Sequence, residues 1–286
     1  MVFGKMEKLI KNPKNTLKVR GELMEFELLT QREKELRKMA EELKEEHGCT
    51  ALKLGTEVED CSFEYINFIN NKLVAGLLPV VVKIGGPEAR NDIRELCKIG
   101  VAGLIAPMVE SPYGLVKFVT ALRDIVDPDR LKTMIKGINA ETVTCYKKID
   151  DILKTPEIEE LNQITIGRGD LSGSIGKKVD DPEVMAMTKE ITQKAQAVGL
   201  VVSVGGGITP VNAQRIVQEI KPDKVNSRHV VISVQDTPDI GVAFKKALEF
   251  ESALMKYEIS ELDARSALLQ RRIGKLEKRL AARPSV

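Results

Sequence analysis

This sequence is poor in the residues that build the commonest metal and nucleophile centres. It holds only two histidines, His47 and His229, which excludes a histidine-built zinc centre as a first reading. Its four cysteines, Cys49, Cys61, Cys97 and Cys145, are scattered without a Cys-x-x-Cys pair. That argues against a disulfide framework and fits a reduced, cytoplasmic protein. The longest apolar runs, such as GLLPVVV, are far too short to span a bilayer, so no membrane partner is expected. The stretch MVFGKMEKLIKN has no apolar segment ahead of a cleavage site, so no signal peptide is expected. A formal charge of +2 leaves no basic excess, which excludes nucleic acid as the main expected partner.

What is present is an alternation. Short β-type runs take turns with amphipathic stretches: TLKVRGELMEF, TALKLGTE, LPVVVKIGG, VAGLIAPMVE, LKTMIKGINAE, NQITIGRGD, LVVSVGGGI and DKVNSRHVVI are each followed by a helical pattern. Pro87, Pro112, Pro182 and Pro210 stand near first turns, and Gly48, Gly76, Gly100 and Gly199 near helix ends. Eight such units, with no Gly-x-Gly-x-x-Gly after the first strand, predict an α/β fold of the (β/α)8 TIM-barrel type over residues 1–240. Residues 241–286 read as a long C-terminal helix. Met255, Ile259, Leu262, Ser266, Leu269, Ile273, Leu276 and Leu280 follow alternating steps of four and three, a coiled-coil seam. This predicts a homo-oligomer joined through that helix; the competing reading is an amphipathic helix lying on its own barrel.

In such barrels the chemistry sits at the C-terminal ends of the strands. Two runs stop there at a single acidic residue: KGINAE at Glu141, and ITIGRGD at Asp170. Two hard oxygen ligands on one rim, with room for water and substrate, suit Mg²⁺ or Mn²⁺. Equally, each could be a helix cap or a rim ion pair. Lys83 follows three valines and needs a counter-charge if its head is inside. Arg168 could clamp a substrate carboxylate. Glu57 and His229 are candidate acids or bases. Gly85, Met108, Gly205, Gly206 and Arg228 stand at strand ends where a small carboxylate substrate would bind, the glycines offering bare backbone N–H groups.

At these same residues the chain resembles the HpcH/HpaI aldolase and citrate lyase beta-subunit family. VVVKIGG through GVAGLIAPMVES is similar to that family's third strand, helix and fourth strand. INAET, with Glu141, is similar to its strand-five Glu-Thr motif, and IGRGDLSGSIG, with Asp170, to its strand-six Gly-x-x-Asp-Leu-Ser motif. The resemblance implies a barrel of the phosphoenolpyruvate/pyruvate type, Mg²⁺ or Mn²⁺ on Glu141 and Asp170, and a lyase or aldolase acting through an enolate of a 2-oxo acid or an acyl-CoA. Two departures mark a divergent member. Lys83 stands where the family usually has an arginine, and LGTEVED lacks the aldolase histidine after strand two. The base role would then fall to Glu57, His229 or a metal-bound water. Two further readings stay open: Schiff-base chemistry on Lys83, Lys53 or Lys136, and a barrel without catalysis that serves as an oligomeric scaffold.

Overall fold

A computed structural model describes residues 16–19, 22–25, 29–262 and 266–282. The first β-type run is not a barrel strand. It forms a separate antiparallel pair, β1 (Thr16–Val19) and β2 (Glu22–Glu25). The eighth run is split instead. β9 (Lys224–Asn226) turns at Ser227–His229 into β10 (Val230–Ser233), which runs antiparallel to both β9 and β3 (Cys49–Gly55). Between them lie six mutually parallel pairings through β4 (Val80–Lys83), β5 (Gly103–Ala106), β6 (Ile135–Ala140), β7 (Gln163–Gly167) and β8 (Val201–Gly205). The eight strands β3 to β10 close into a barrel of the TIM type. The expected fold class therefore holds, but a returning hairpin fills the place expected for the first strand.

That hairpin is held from outside. The buried carboxylate of Glu251 accepts the N–H of Arg228 at 2.7 Å, the N–H of His229 and the hydroxyl of Ser227. Removing one acceptor that satisfies several buried donors costs about 1–3 kcal/mol per donor left unpaired. Glu251→Ala is thus expected to lower unfolding free energy by roughly 3 kcal/mol or more, read by urea denaturation. An unchanged midpoint would show that the hairpin closes the barrel without this anchor.

The helices α1 (Gln31–Glu46), α2 (Phe63–Phe68), α3 (Arg90–Ile99), α4 (Pro112–Ile125), α5 (Pro128–Thr133), α6 (Val143–Leu153), α7 (Arg168–Ser174), α8 (Pro182–Ala197) and α9 (Ala213–Ile220) surround the sheet. Local sequence sets their ends. Thr30 and Glu33 form a reciprocal capping box on α1, Ser111 caps α4 ahead of Pro112, and Gly100 ends α3 in a left-handed conformation. Outward-facing strand residues such as Leu52, Val82, Leu104, Ile164 and Val204 pack on this layer. Inward-facing residues behave differently. Ala51, Val81, Ile105 and Val231 plug the interior with a small apolar cluster, and Lys53, Lys83, Asn139, Thr165 and Ser203 stack among the remaining inward positions. The period-two alternation of each strand delivers those polar groups to one interior.

Two more helices, α10 (Ile240–Leu262) and α11 (Ser266–Leu280), complete the described chain. They pack against each other, and the Arg279 guanidinium near the end of α11 lies 5.6 Å over the Phe244 ring near the start of α10, so they run antiparallel. The apolar stripe read as a coiled-coil seam is covered by this chain itself: Met255, Leu269, Ile273 and Leu276 are buried. The side chains of Leu262 and Ser266, which belong to the same stripe, lie outside the described residues. The expected long C-terminal helix is present as α10, and α11 packs against it as an intramolecular pair laid on the barrel. Among the described residues, no helix is long and apolar enough to cross a membrane.

Candidate active site

Parallel register carries the strand ends to one level. Gly55 pairs with Lys83, Lys83 with Ile105, Ala106 with Ile138, Ala140 with Ile166, and Gly167 with Gly205. Lys83, Glu141 and Asp170 consequently share one rim, around a cavity of about 530 Å³. Of the residues expected at the site, Glu57, Lys83, Met108, Glu141, Asp170, Gly205, Gly206 and Arg228 line it.

Glu141 stands one residue past β6 and is 3% exposed. Thr142, not Glu141, caps α6, through a bond from the Cys145 N–H. The carboxylate of Glu141 accepts from Asn139 Nδ2 at 3.0 Å and from the Met108 N–H at 3.1 Å. Met108 reaches that position with a φ of 52°, a left-handed conformation uncommon for a side chain of its size. Burial pushes the Glu141 carboxyl above its usual range and Asp170 pushes the same way, against Lys83 and the two hydrogen bonds. Asp170, in the first turn of α7, is exposed and makes no hydrogen bond or ion pair among the described residues. Among the described residues, neither carboxylate caps a helix and Asp170 makes no rim ion pair.

Glycines make the close packing possible. A Cβ at Gly167 would stand 2.9 Å from Glu141 Cβ, and one at Gly206, where φ is +92°, would stand 2.4 Å from the Gly169 nitrogen. The loop after β8 is thereby pressed against the start of α7, which carries Asp170.

On the opposite side, Lys83 is buried and meets Glu57 at 2.7 Å and Glu59 at 3.6 Å. Burial alone would pull the ammonium down, but Glu59, Glu57 and Glu141 outweigh it and hold Lys83 above its usual range. Glu59 also accepts from Arg228 at 3.2 Å. Burial acts to raise its carboxyl, but Lys83, Lys53, His229 and Arg228 together bring it to about 2. Lys53, in the barrel interior, is pulled down chiefly by burial and in part by Lys83.

Three expected residues are placed elsewhere. Arg168 is fully buried beneath the rim, where its guanidinium donates to Asp180 Oδ1 at 2.6 Å and to the carbonyls of Val179 and Gly206. It ties the loop after β8 to the segment after α7 and does not line the cavity. His229 is buried with Nδ1 donating to the Lys53 carbonyl at 3.1 Å, and burial holds its ring below the usual range, so it is a packed histidine that does not line the cavity. Gly85 does not line the cavity, and its N–H is taken by Asp92 Oδ2 at 2.8 Å. Lys136, one of the Schiff-base candidates, is the second residue of β6, at the far end of the barrel, and donates to the Leu131 carbonyl at 2.6 Å.

The sequence reading missed Glu59, Asn139, Arg272, Lys275 and Arg279, all on the cavity wall. Inward alternation through Gly137, Asn139 and Glu141 is a signal that finds Asn139. Nothing local separates Glu59 from its acidic neighbours in TEVED, and the three α11 residues reach the mouth only through long-range packing.

With this geometry in place, the comparisons with known proteins decide the lineage. Residues 75–218, just over half of the chain, match the HpcH/HpaI aldolase/citrate lyase family. The chain belongs to that family. The matched segment runs from the loop before β4 to α9 and includes Lys83, Glu141 and Asp170. No curated protein matches the sequence significantly. Among solved structures, an HpcH/HpaI aldolase/citrate lyase family protein from Burkholderia cenocepacia J2315 superposes with a TM-score of 0.54 at 16% identity, over 65% of this chain and 80% of that one. The HpcH/HpaI aldolase from Desulfitobacterium hafniense DCB-2 gives 0.52 at 19% identity, over 67% and 80%. The citrate synthase SbnG gives 0.53 at 19% identity, over 66% and 80%. At these identities the likeness is one of fold, so the site's own chemistry must carry the function.

The residues present fit a divalent ion. Glu141 and Asp170 supply hard oxygen donors on one rim, and Asn139 Oδ1 beside Glu141 is buried with no hydrogen-bond partner among the described residues. A cation there would relieve the mutual repulsion of the two carboxylates and give the orphaned amide oxygen a neighbour of the right sign.

Proposed function

We propose that this member of the HpcH/HpaI family is a divalent-metal-dependent carbon–carbon lyase acting on a 2-oxo acid or related carbonyl compound. The observation that supports the reading best is the rim itself: a buried Glu141, an Asp170 beside it with no partner among the described residues, and the buried Lys83 ammonium acting on the same carboxylate. Mg²⁺ or Mn²⁺ held by Glu141 and Asp170 would supply Lewis-acid polarisation of the substrate carbonyl.

The protein's own groups then have separate tasks. Lys83 stays protonated among three carboxylates and presents fixed positive charge to the negative charge that develops on the carbonyl oxygen as the C–C bond breaks. Glu57, half-buried and 2.7 Å from Lys83, is positioned to take the proton from the hydroxyl whose carbon leaves as a carbonyl. Arg228, held by Glu59, faces the cavity with donors for a substrate carboxylate. Lys83 and Glu57 together do the work that an arginine and a histidine do in the family's aldolases. Asn139 and the Met108 N–H orient Glu141.

A second reading rests on Lys53. Its amine lines the cavity and is depressed by burial, which is the environment of a Schiff-base lysine. Titration of the protein with Mn²⁺, with and without pyruvate, separates the two. Binding that tightens in the presence of the oxo acid supports the metal-dependent reading. No Mn²⁺ binding, together with irreversible incorporation of pyruvate on borohydride reduction, would replace it with the lysine mechanism.

A further inference from the structure

Cleavage as proposed leaves one proton still to be supplied. Breaking the C–C bond leaves the 2-oxo acid as its enolate, and the enolate carbon must take up a proton before the product departs. Glu57 ends that step carrying the hydroxyl's proton, and Lys83 is fixed against Glu57 at 2.7 Å and Glu59 at 3.6 Å. The barrel interior holds a separate donor. Lys53 lies one inward step below Lys83: Gly55 stands level with Lys83, and Lys53 with Val81. Its Nζ makes no hydrogen bond or ion pair among the described residues. Burial pulls the ammonium below its usual range, so it gives up a proton more readily than a lysine in water.

A second group points to the same place. Thr165 is 2% exposed, and its buried hydroxyl has no hydrogen-bond partner among the described residues. Lys53 and Thr165 both line the substrate cavity, and both also line a smaller cavity of about 30 Å³ deeper in the barrel. A TIM-barrel interior is ordinarily filled by layers of branched apolar side chains. Here Ala51, Val81, Ile105 and Val231 provide such filling on one side only, while Ser203 and Asn226, joined by a 2.7 Å hydrogen bond, continue the polar side below Thr165. The deeper cavity has room for a water molecule and the polar partners that a buried water requires. A buried ammonium and a buried hydroxyl, each without a hydrogen-bond partner among the described residues, thus stand between the substrate's place and a polar compartment.

We propose that Lys53 is the acid that protonates the enolate carbon, and that Thr165 and water in the deeper cavity return a proton to it. The proposal rests on the reading that a 2-oxo acid binds at Glu141 and Asp170. In the step, the electron pair of the enolate C=C bond takes a proton from the Lys53 ammonium. A C–H bond forms, an N–H bond breaks, the enolate oxygen returns to a carbonyl, and Lys53 is left as a neutral amine. The amine takes its next proton from solvent by way of Thr165 and the water, and Glu57 gives up to solvent the proton it took, so the cycle balances. Lys53 forms no covalent bond to the substrate, which separates this role from that of a Schiff-base lysine.

The test is exchange of the pyruvate methyl protons in D₂O, followed by proton NMR on the full chain with Mg²⁺, because exchange runs the same proton transfer in both directions. Wild type is expected to exchange, and Lys53→Met to do so about 100-fold more slowly or less, the scale of a general acid. Lys53→Arg keeps the charge but not a proton that can leave, and is expected to lose exchange equally. Mg²⁺ binding in the presence of pyruvate, read by calorimetry, is expected to be kept in both. Thr165→Val is expected to slow exchange by about tenfold, the scale of one hydrogen bond. Ethylamine added to Lys53→Ala is expected to restore exchange in proportion to its concentration, a response that a packing role would not give. Exchange that survives in Lys53→Met or Lys53→Arg, or wild type that binds Mg²⁺ with pyruvate but exchanges nothing, overturns the inference and leaves the metal-centred reading in place. Lys53-dependent exchange that is indifferent to EDTA, with no pyruvate fixed by borohydride, keeps the inference and removes the metal-centred reading. Pyruvate fixed to Lys53 by borohydride overturns the inference in favour of the Schiff-base lysine, and wild type that neither binds nor exchanges pyruvate removes both.

Discussion

Replacing Asp170 by Asn is expected to weaken Mn²⁺ binding by about 100-fold or more and to abolish metal-dependent turnover, with the unfolding midpoint unchanged or raised. The argument is electrostatic. Asp170 is exposed and holds no protein partner among the described residues, so its charge does nothing for the fold that a neutral amide would forfeit. It also raises the Glu141 carboxyl, so its removal relieves a repulsion in the metal-free protein. Loss of function without loss of stability is the signature of a residue kept for chemistry. Glu141→Gln is expected to give the same loss of metal with a smaller gain in stability, because Glu141 also accepts from Asn139 and the Met108 N–H. Metal binding should strengthen as pH rises through the folded-state value of Glu141, since the ion competes with the proton held there. Calorimetry on both variants, paired with urea denaturation, checks each part. Full turnover in Asp170→Asn would sink the metal assignment.

Acid should unfold this protein through Glu59. Its carboxyl falls from 4.5 to about 2 on folding, under Lys83, Lys53, His229 and Arg228 acting against its own burial. A group with a depressed folded value gives stability that is fully present above pH 4.5 and is lost as pH falls through about 2. At about 1.4 kcal/mol per unit the contribution is roughly 3 kcal/mol, shared with Lys83 and not to be counted again on that side. Glu141 works in the opposite sense. Its folded value is raised, so its contribution is present below the ordinary carboxylate range and fades as pH rises through the folded value. Glu59→Gln is expected to cost about 3 kcal/mol near neutral pH and to flatten the acid limb of the stability curve. Urea denaturation of both proteins at about pH 3 and about pH 7 reads this directly. Equal slopes with pH in the two proteins would assign the acid limb to other carboxylates.

The sequence alone carried the barrel and much of its rim. Period-two runs in alternation with 3.6-period stretches determine a closed α/β sheet, because inward and outward faces of a strand follow from spacing alone. The same local rule located Glu141 and Asp170, since each ends a β-type run, and Lys83, since three valines deliver it to the end of β4. It failed where the outcome depends on which segments meet. The run TLKVRGELMEF has strand character, yet β10 closes the barrel, because the Ser227–His229 turn is held by Glu251 from α10, twenty-two or more residues away. Arg168 and His229 stand at strand ends exactly as site residues do in sequence terms; only packing shows that Asp180 and the Lys53 carbonyl have already claimed them. The apolar stripe of the C-terminal segment was legible, but not what it covers, since a stripe records that a face is buried and not against what. Tertiary structure decided that question by laying α11 along the cavity wall, where Arg272 and Arg279 fasten it to the loops after β3 and β8.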